Sequence, residues 1–557
     1  MRGERDGLRP TPHPPLRGTF SRKGRRAGTR RLSAVRWLPA LVAAWFSLGG
    51  GVRADLVYFR NGGEIQAPVA MRGDSIVIDL AGEEYVFPPE DVRKRLPGFL
   101  PSEEWSERAA RAREAGADSR FANAWWALEN GLTDEAVAEV KAIHQAAPMH
   151  GPTGRMAAMI ARLEPPCDDP EKPGFRGALR VAFETARGPH VLLLHQHSDA
   201  EAAARVALLE RVVTSYYLTF AGSGIELQVP KRRVVFAWFA DRTDYLAFLK
   251  SQGAGAFETT RGYYHPTWNA VVSYDAHSAE SDRRERDVFA ARRGELKRFQ
   301  TVLDRLPPRA RARVVLADEP AQTVGKADGA ALIDRLERDV RRRELLLADR
   351  RRAMDDGIAA HETIHLLAAA SGLQPRHDAF PIWLQEGLAM QFEVVRGGRW
   401  AGIGRAHDIR LADWRNLNPP PPLEPLVRDK GFGRGYQRDP YVQAWALVYF
   451  LRARRSAQFV TFLDLLRNPS PATDDRPESP PTPFEAFRRA FGTDLESLER
   501  EWHEFLRNAA TPLELHAPKV LPAASQPGPA PHNRLLGHDA IDRSPGIAMI
   551  HFTQYGA

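Results

Sequence analysis

One cysteine, Cys167, stands in a chain of 557 residues. That excludes an internal disulfide framework and any metal site built from several thiolates, and leaves Cys167 to be read as an inert, buried thiol. Long apolar runs are also missing. The run at residues 37–48 is shorter than the roughly 20 residues a membrane-spanning helix needs, and no later stretch reaches that length. Charge of one sign is scarce over most of the chain. The net charge of +8 invites a nucleic-acid partner, yet residues 1–54 hold twelve Lys or Arg against Glu4 and Asp6. Beyond them 66 basic and 68 acidic residues remain, a net of −2, which argues against nucleic acid. With 43% hydrophobic and 27% charged residues the composition is that of folded protein, and the length predicts several domains.

Residues 1–54 have the layout of an export signal: a basic, Pro- and Arg-rich stretch, the apolar run, three glycines and the small-residue site Val52-Arg53-Ala54. Cleavage after Ala54 is expected, with an uncleaved anchor as the alternative and a periplasmic or extracellular location either way. Residues 55–100 alternate apolar and polar side chains around Gly-containing turns, predicting a small β module of three or four strands. Residues 101–165 shift to helical period and predict two or three helices, one pair resembling a tetratricopeptide unit. A Pro-rich linker at 165–173 leads to the main domain, 176–510. There, strands at 180–183, 191–195 and 234–239, helices at 200–220 and 241–250, and a hairpin of 262–264 with 270–274 predict an α+β fold. Residues 278–355 read as a charged helical insertion with a solvated face, whose last helix, from about 330, continues with a break at Gly357 into the segment that follows. Helices at 441–451, 457–466 and 484–505 follow, and from 511 to 557 a tail without periodicity is expected to be disordered.

The chemistry sits at Ala359-Ala360-His361-Glu362-Thr363-Ile364-His365. Positions i and i+4 lie about 40° apart around a helix, so both imidazoles point to one side and can share a metal ion. Glu362, about 100° round from His361, is placed to hold a water and take its proton. Two surface histidines on a helix is the bland alternative. A metzincin needs Gly at 368 and His or Asp at 371, and Ala368 and Ser371 reject that group. Twenty-one residues past His365, Glu386 lies on a short helix after a turn that can bring the chain back opposite the histidines. Two histidines and one carboxylate, with one position left for water, form the catalytic rather than the structural zinc pattern. Glu393 is the competing third ligand, but two turns along the same helix it is read as lying behind the ligands or in solvent. His377 and Asp378 fall in the turn, and His195, His197 and His265 have no ligand spacing.

His-Glu-x-x-His followed by Trp383-Leu384-Gln385-Glu386-Gly387-Leu388-Ala389 resembles the gluzincin, or peptidase MA-like, metallopeptidases, especially exported bacterial members with small β and helical modules before the catalytic domain. The resemblance spans roughly residues 176–505. It implies a zincin-like fold, one Zn2+ on His361, His365 and Glu386, and Glu362 as general base. It implies an edge strand for pairing with an extended substrate at about 270–274. It also implies a Tyr or His that stabilises the oxyanion, for which Tyr441 is the candidate and Tyr436 and His407 weaker ones. The expectation is therefore an exported zinc peptidase acting on peptide or protein. The alternative is an inactive zincin-like binding or scaffold protein of the cell envelope.

Overall fold

A computed structural model describes residues 54–60, 63–80, 83–98, 101–316, 320–374, 380–432, 440–468 and 481–516. Residues 1–53 of the expected export signal, Tyr436, His377, Asp378, residues 469–480 and the chain beyond 516 lie outside them. The fold is mixed α+β, with small sheets toward the N-terminal end and a helical C-terminal half.

Among the described residues six strands, rather than three or four, build the first module: β1 (Asp55–Phe59), β2 (Glu64–Ala67), β3 (Val69–Arg72), β4 (Ser75–Leu80), β5 (Glu83–Phe87) and β6 (Val92–Leu96). They form two three-stranded antiparallel sheets, β2-β1-β6 and β3-β4-β5. Four helices follow instead of two or three: α1 (Pro101–Glu114), α2 (Ala117–Leu128), α3 (Thr133–Ala146) and α4 (Gly151–Leu163). The linker after α4 is tied down, because the Cys167 amide donates to the Pro189 carbonyl at 2.8 Å and its thiol to the Pro230 carbonyl at 3.0 Å. Cys167 is buried there.

The main domain opens with α5 (Pro173–Leu179) and β7 (Glu184–Arg187). Residues 180–183 form no strand: Arg180 ends α5 in the left-handed region at φ 60°, and pairing with β8 (Val191–His195) begins only at Glu184. Then come α6 (Asp199–Gly222), β9 (Val234–Phe239), α7 (Arg242–Ser251), β10 (Gly262–His265) and β11 (Ala270–Tyr274). The sheet order is β10-β11-β9-β8-β7, with β8, β9 and β11 parallel and both edge strands antiparallel. The central strands are continuously apolar because both faces are covered. Leu192, Leu194, Val235, Ala237 and Phe239 pack on Phe175 of α5 and on Tyr245 and Phe248 of α7. Their alternates Val191, Leu193, Phe236 and Trp238 join the main core with Leu208 and Val212 of α6, following the period of two along a strand.

The charged stretch forms α8 (Glu280–Arg305), the short hairpin β12 (Ala312–Val314) and β13 (Gln322–Val324), and α9 (Lys326–Ala370), a single unbroken helix of 45 residues. Leu296, Phe299 and Leu303 of α8 meet Leu332, Ile333 and Leu336 of α9 in a satellite core. The middle of α9 is a seat for the β module rather than a solvated face. Leu346 is buried with Val57, Phe59, Ile78 and Phe87, Arg342 pairs with Asp91 at 2.8 Å, and Asp349 accepts from the Glu64 amide at 3.0 Å.

The C-terminal half contains α10 (Ile382–Ala389), the hairpin β14 (Val395–Arg396) and β15 (Arg399–Trp400), α11 (Asp408–Arg415), α12 (Leu423–Val427), α13 (Pro440–Arg454), α14 (Ser456–Arg467), α15 (Pro483–Phe491) and α16 (Leu495–Asn508). A last turn, α17 (Pro512–His516), buries Leu513 against Leu56 and Leu96, so the chain stays ordered past residue 511.

Candidate metal centre

At Gly357 α9 passes from half-exposed to fully buried, and residues 357–369 are all inaccessible. Gly357 does not break the helix. A β-carbon there would stand 2.8 Å from the Glu393 carbonyl oxygen, so glycine is what lets the Glu393 segment cross the helix at contact distance. One turn on, His361 and His365 bring their Nε2 atoms to 3.2 Å from each other. Glu386 reaches them from α10, with Oε2 at 3.3 Å from His361 Nε2 and Oε1 at 3.7 Å from His365 Nε2.

The short helix that carries Glu386 is fixed at both ends. Asp429 accepts from the Ile382 and Trp383 amides at 3.0 Å each, satisfying two of the N–H groups a helix start leaves open. Trp383, wholly buried, stacks on Phe462 of α14 and meets Phe487 of α15 edge-on. Gly387 lies against the Ala444 carbonyl of α13, where a β-carbon would come within 2.6 Å.

One ligand atom from each of His361, His365 and Glu386 falls within 4.8 Å of the others. Glu386 Oε1 and Glu362 Oε2 are buried without a hydrogen-bond partner among the described residues. Buried acceptors in that condition are costly unless something cationic or protic completes them. Two imidazole nitrogens and a carboxylate aimed at one point form a donor set that fits a divalent ion and leaves a coordination position open.

Behind the histidines stands Glu393, as one of its two sequence readings had it, in a network with Arg410 and His407 that the sequence did not show. Helix α10 ends at Ala389, so Glu393 is not on the same helix as Glu386. It lies in the following loop with Oε2 at 3.1 Å from His361 Nδ1, on the side away from Glu386. Glu393 Oε1 accepts from Arg410 Nε at 3.0 Å and lies 3.3 Å from His407 Nε2. His407 Nδ1 accepts from the Ile409 amide, which leaves its Nε2–H to donate to Glu393. By the same logic His361 donates through Nδ1 and turns the Nε2 lone pair toward Glu386 and His365. His407 thus braces Glu393. Tyr441 opens α13, buried, with its ring edge-on to Phe432 at 5.3 Å.

Burial dominates the electrostatics of this cluster. It alone would lower the His361 pKa, but the carboxylates of Glu386 and Glu393 outweigh it and raise the group to about 10. Burial, then the charge on His361, holds His365 well below the usual imidazole value. Burial pushes Glu362 up to about 8 and raises Glu386. Glu393 goes the other way, because Arg410 first, then the bonds from His361 and His407, overcome burial and hold it well below the carboxylate range. The cage as a whole favours a positive charge between its carboxylates.

The strand beside Glu362 is β10, which corrects the expected edge strand. Residues 270–274, as β11, lie inside the sheet between β10 and β9, and β10 is the edge. A β-carbon on Gly262 would lie 2.7 Å from Glu362 Cγ, and the Tyr264 amide donates to the Glu362 carboxylate.

Residues 357–472 match a family model described as a protein of unknown function (DUF1570). That stretch holds His361, Glu362, His365, Glu386, Glu393, Arg410 and Tyr441, and only the β10 side of the centre lies outside it. No curated protein and no solved structure matches the chain.

Proposed function

We propose that this protein is an exported zinc-dependent peptidase of the gluzincin type. The observation that carries the reading is the convergence of His361, His365 and Glu386 within 4.8 Å, with Glu362 one residue from the first histidine and buried beside an edge strand. His361 Nε2, His365 Nε2 and the Glu386 carboxylate would hold the ion. Zinc bound there supplies a Lewis acid that polarises a carbonyl and acidifies water. Glu362 takes the proton from the attacking water on the oxygen that has no other partner and passes it to the leaving amine. Glu393 keeps His361 in the tautomer that presents Nε2. An extended peptide adding to the outer edge of β10 would run its backbone past Glu362, and Tyr441 is the proposed donor to the oxyanion.

Export rests on the basic stretch and apolar run at residues 1–54, and no described helix is long and apolar enough to cross a membrane. The test is metal analysis of the purified protein, followed by a peptide-library assay with and without chelator on wild type and Glu362→Gln. The reading expects chelator-sensitive cleavage that the variant lacks while keeping its metal. Bound metal with no cleavage would assign the protein to binding instead.

A further inference from the structure

A second polar centre lies away from the metal ligands, where the N-terminal helices meet the C-terminal half. Helices α2, α6, α13 and α14 line a partly open cavity of about 150 Å³. Its walls are aromatic, from Trp125, Phe220, Tyr449 and Phe459, and two side chains of opposite charge, Glu129 and Arg452, line it. None of the three ligands, nor Glu362 or Glu393, is among the lining residues.

The two charges face the same space without touching. They act on one another electrostatically, but among the described residues they form no ion pair within 4.0 Å. Arg452 has five N–H donors and, among the described residues, makes one long hydrogen bond, Nη1 to Gln391 Oε1 at 3.5 Å. Its guanidinium rests against Gly404, where a β-carbon would stand 2.4 Å from Nη1, so the position is built into the backbone. Glu129 is held by Trp125 Nε1 at 3.2 Å through one oxygen only. Arg405 is close enough to act on Glu129, but it does not line the cavity. Among the described residues, one Glu129 oxygen and most of the Arg452 N–H groups have no protein hydrogen-bond partner and are free to take one from a molecule in the cavity.

We propose that this cavity binds a small zwitterion, a free α-amino acid with an apolar side chain. Its carboxylate pairs with Arg452, its ammonium with Glu129, and its side chain packs on the aromatic wall. A cavity of about 150 Å³ admits a small molecule and is below the roughly 300 Å³ of sites for larger ligands. A simple anion would leave the open Glu129 oxygen without a donor, and a simple amine would leave the Arg452 N–H groups without an acceptor.

The test is calorimetric titration of the full protein with L-valine, with isovalerate, which lacks the amine, and with isobutylamine, which lacks the carboxylate. Valine is expected to bind once per chain, and each truncated probe roughly 10- to 100-fold more weakly, the loss of one charge-assisted contact. Glu129→Gln and Arg452→Gln should weaken valine by similar factors. Ser456→Phe, at an exposed position on the cavity lining, should abolish binding without touching either charge and keeps the test decisive should Arg452→Gln fail to fold. Binding should also survive chelator, which separates this site from product capture at the metal centre. No binding to wild type, binding lost with chelator, or binding unchanged in Ser456→Phe and Glu129→Gln would each overturn the proposal.

Discussion

Replacing Glu393 by Ala probes two functions of one carboxylate. Toward the metal centre, Glu393 Oε2 holds His361 Nδ1 at 3.1 Å, and without it the imidazole can turn or change tautomer. Loss of such a partner typically lowers metal affinity roughly 10- to 100-fold, or about 1.4–2.7 kcal/mol. Toward the core, the substitution takes the carboxylate from Arg410, which is 6% exposed and bonded to it at 3.0 Å. Removing one member of a buried ion pair costs about 3–5 kcal/mol, because the remaining charge stays desolvated. The stability loss should therefore exceed the loss in binding. Urea unfolding in chelator isolates the core effect, and competition against a chelator of known affinity isolates the metal effect. Adding Arg410→Met to Glu393→Ala should restore much of the stability but none of the affinity. The reasoning fails if the single variant binds metal within about twofold of wild type, or if the double variant is no more stable than the single one.

Glu362→Gln should keep the metal while lowering turnover roughly 100- to 10,000-fold, as removal of a general base does, measured on whichever library peptide wild type cleaves fastest. Gly262→Ala places a methyl group against Glu362 Cγ and Ile358 Cγ2, and the overpacking should cost about 1–3 kcal/mol in urea unfolding, with reduced cleavage as Glu362 is displaced. Burial lowers His265 to about 4, so between pH ~6.5 and ~4 the unfolded chain binds a proton that the folded chain refuses. Stability should fall as pH falls through that window, by at most about 3 kcal/mol, and His265→Phe should flatten this part of the urea-midpoint profile. Chelation should lower the unfolding temperature of wild type, by the equivalent of about 2.7 kcal/mol where free metal had stood at 100 times its dissociation constant, and leave that of Glu386→Ala nearly unchanged.

Local pattern was enough to find the parts of the centre that depend on one element. The i, i+4 histidines are a helix period, and the apolar runs at 191–195 and 234–239 are strands because both faces are covered. What pattern could not supply was long-range order. Both halves of the hairpin at 262–274 are recognisable, but which half inserts beside β9 depends on a parallel pairing between distant segments, and β11 takes that place. Gly357 reads locally as a helix breaker, yet it is there for a backbone oxygen 36 residues further on. Glu393 falls at helical spacing from Glu386, and only the end of α10 at Ala389 turns it to the far side of His361. Charge density at 278–355 suggested a solvated face, and it concealed Leu346, whose partners lie in a module more than 250 residues earlier.

The most direct measurement is elemental analysis of protein purified without added metal, comparing wild type with Glu386→Ala and His365→Ala. One zinc ion per chain in wild type, and little in either variant while both stay folded by circular dichroism, is the predicted result. Wild type without a stoichiometric divalent ion, or Glu386→Ala retaining its full complement, would contradict the three-residue cage on which the proposed chemistry stands.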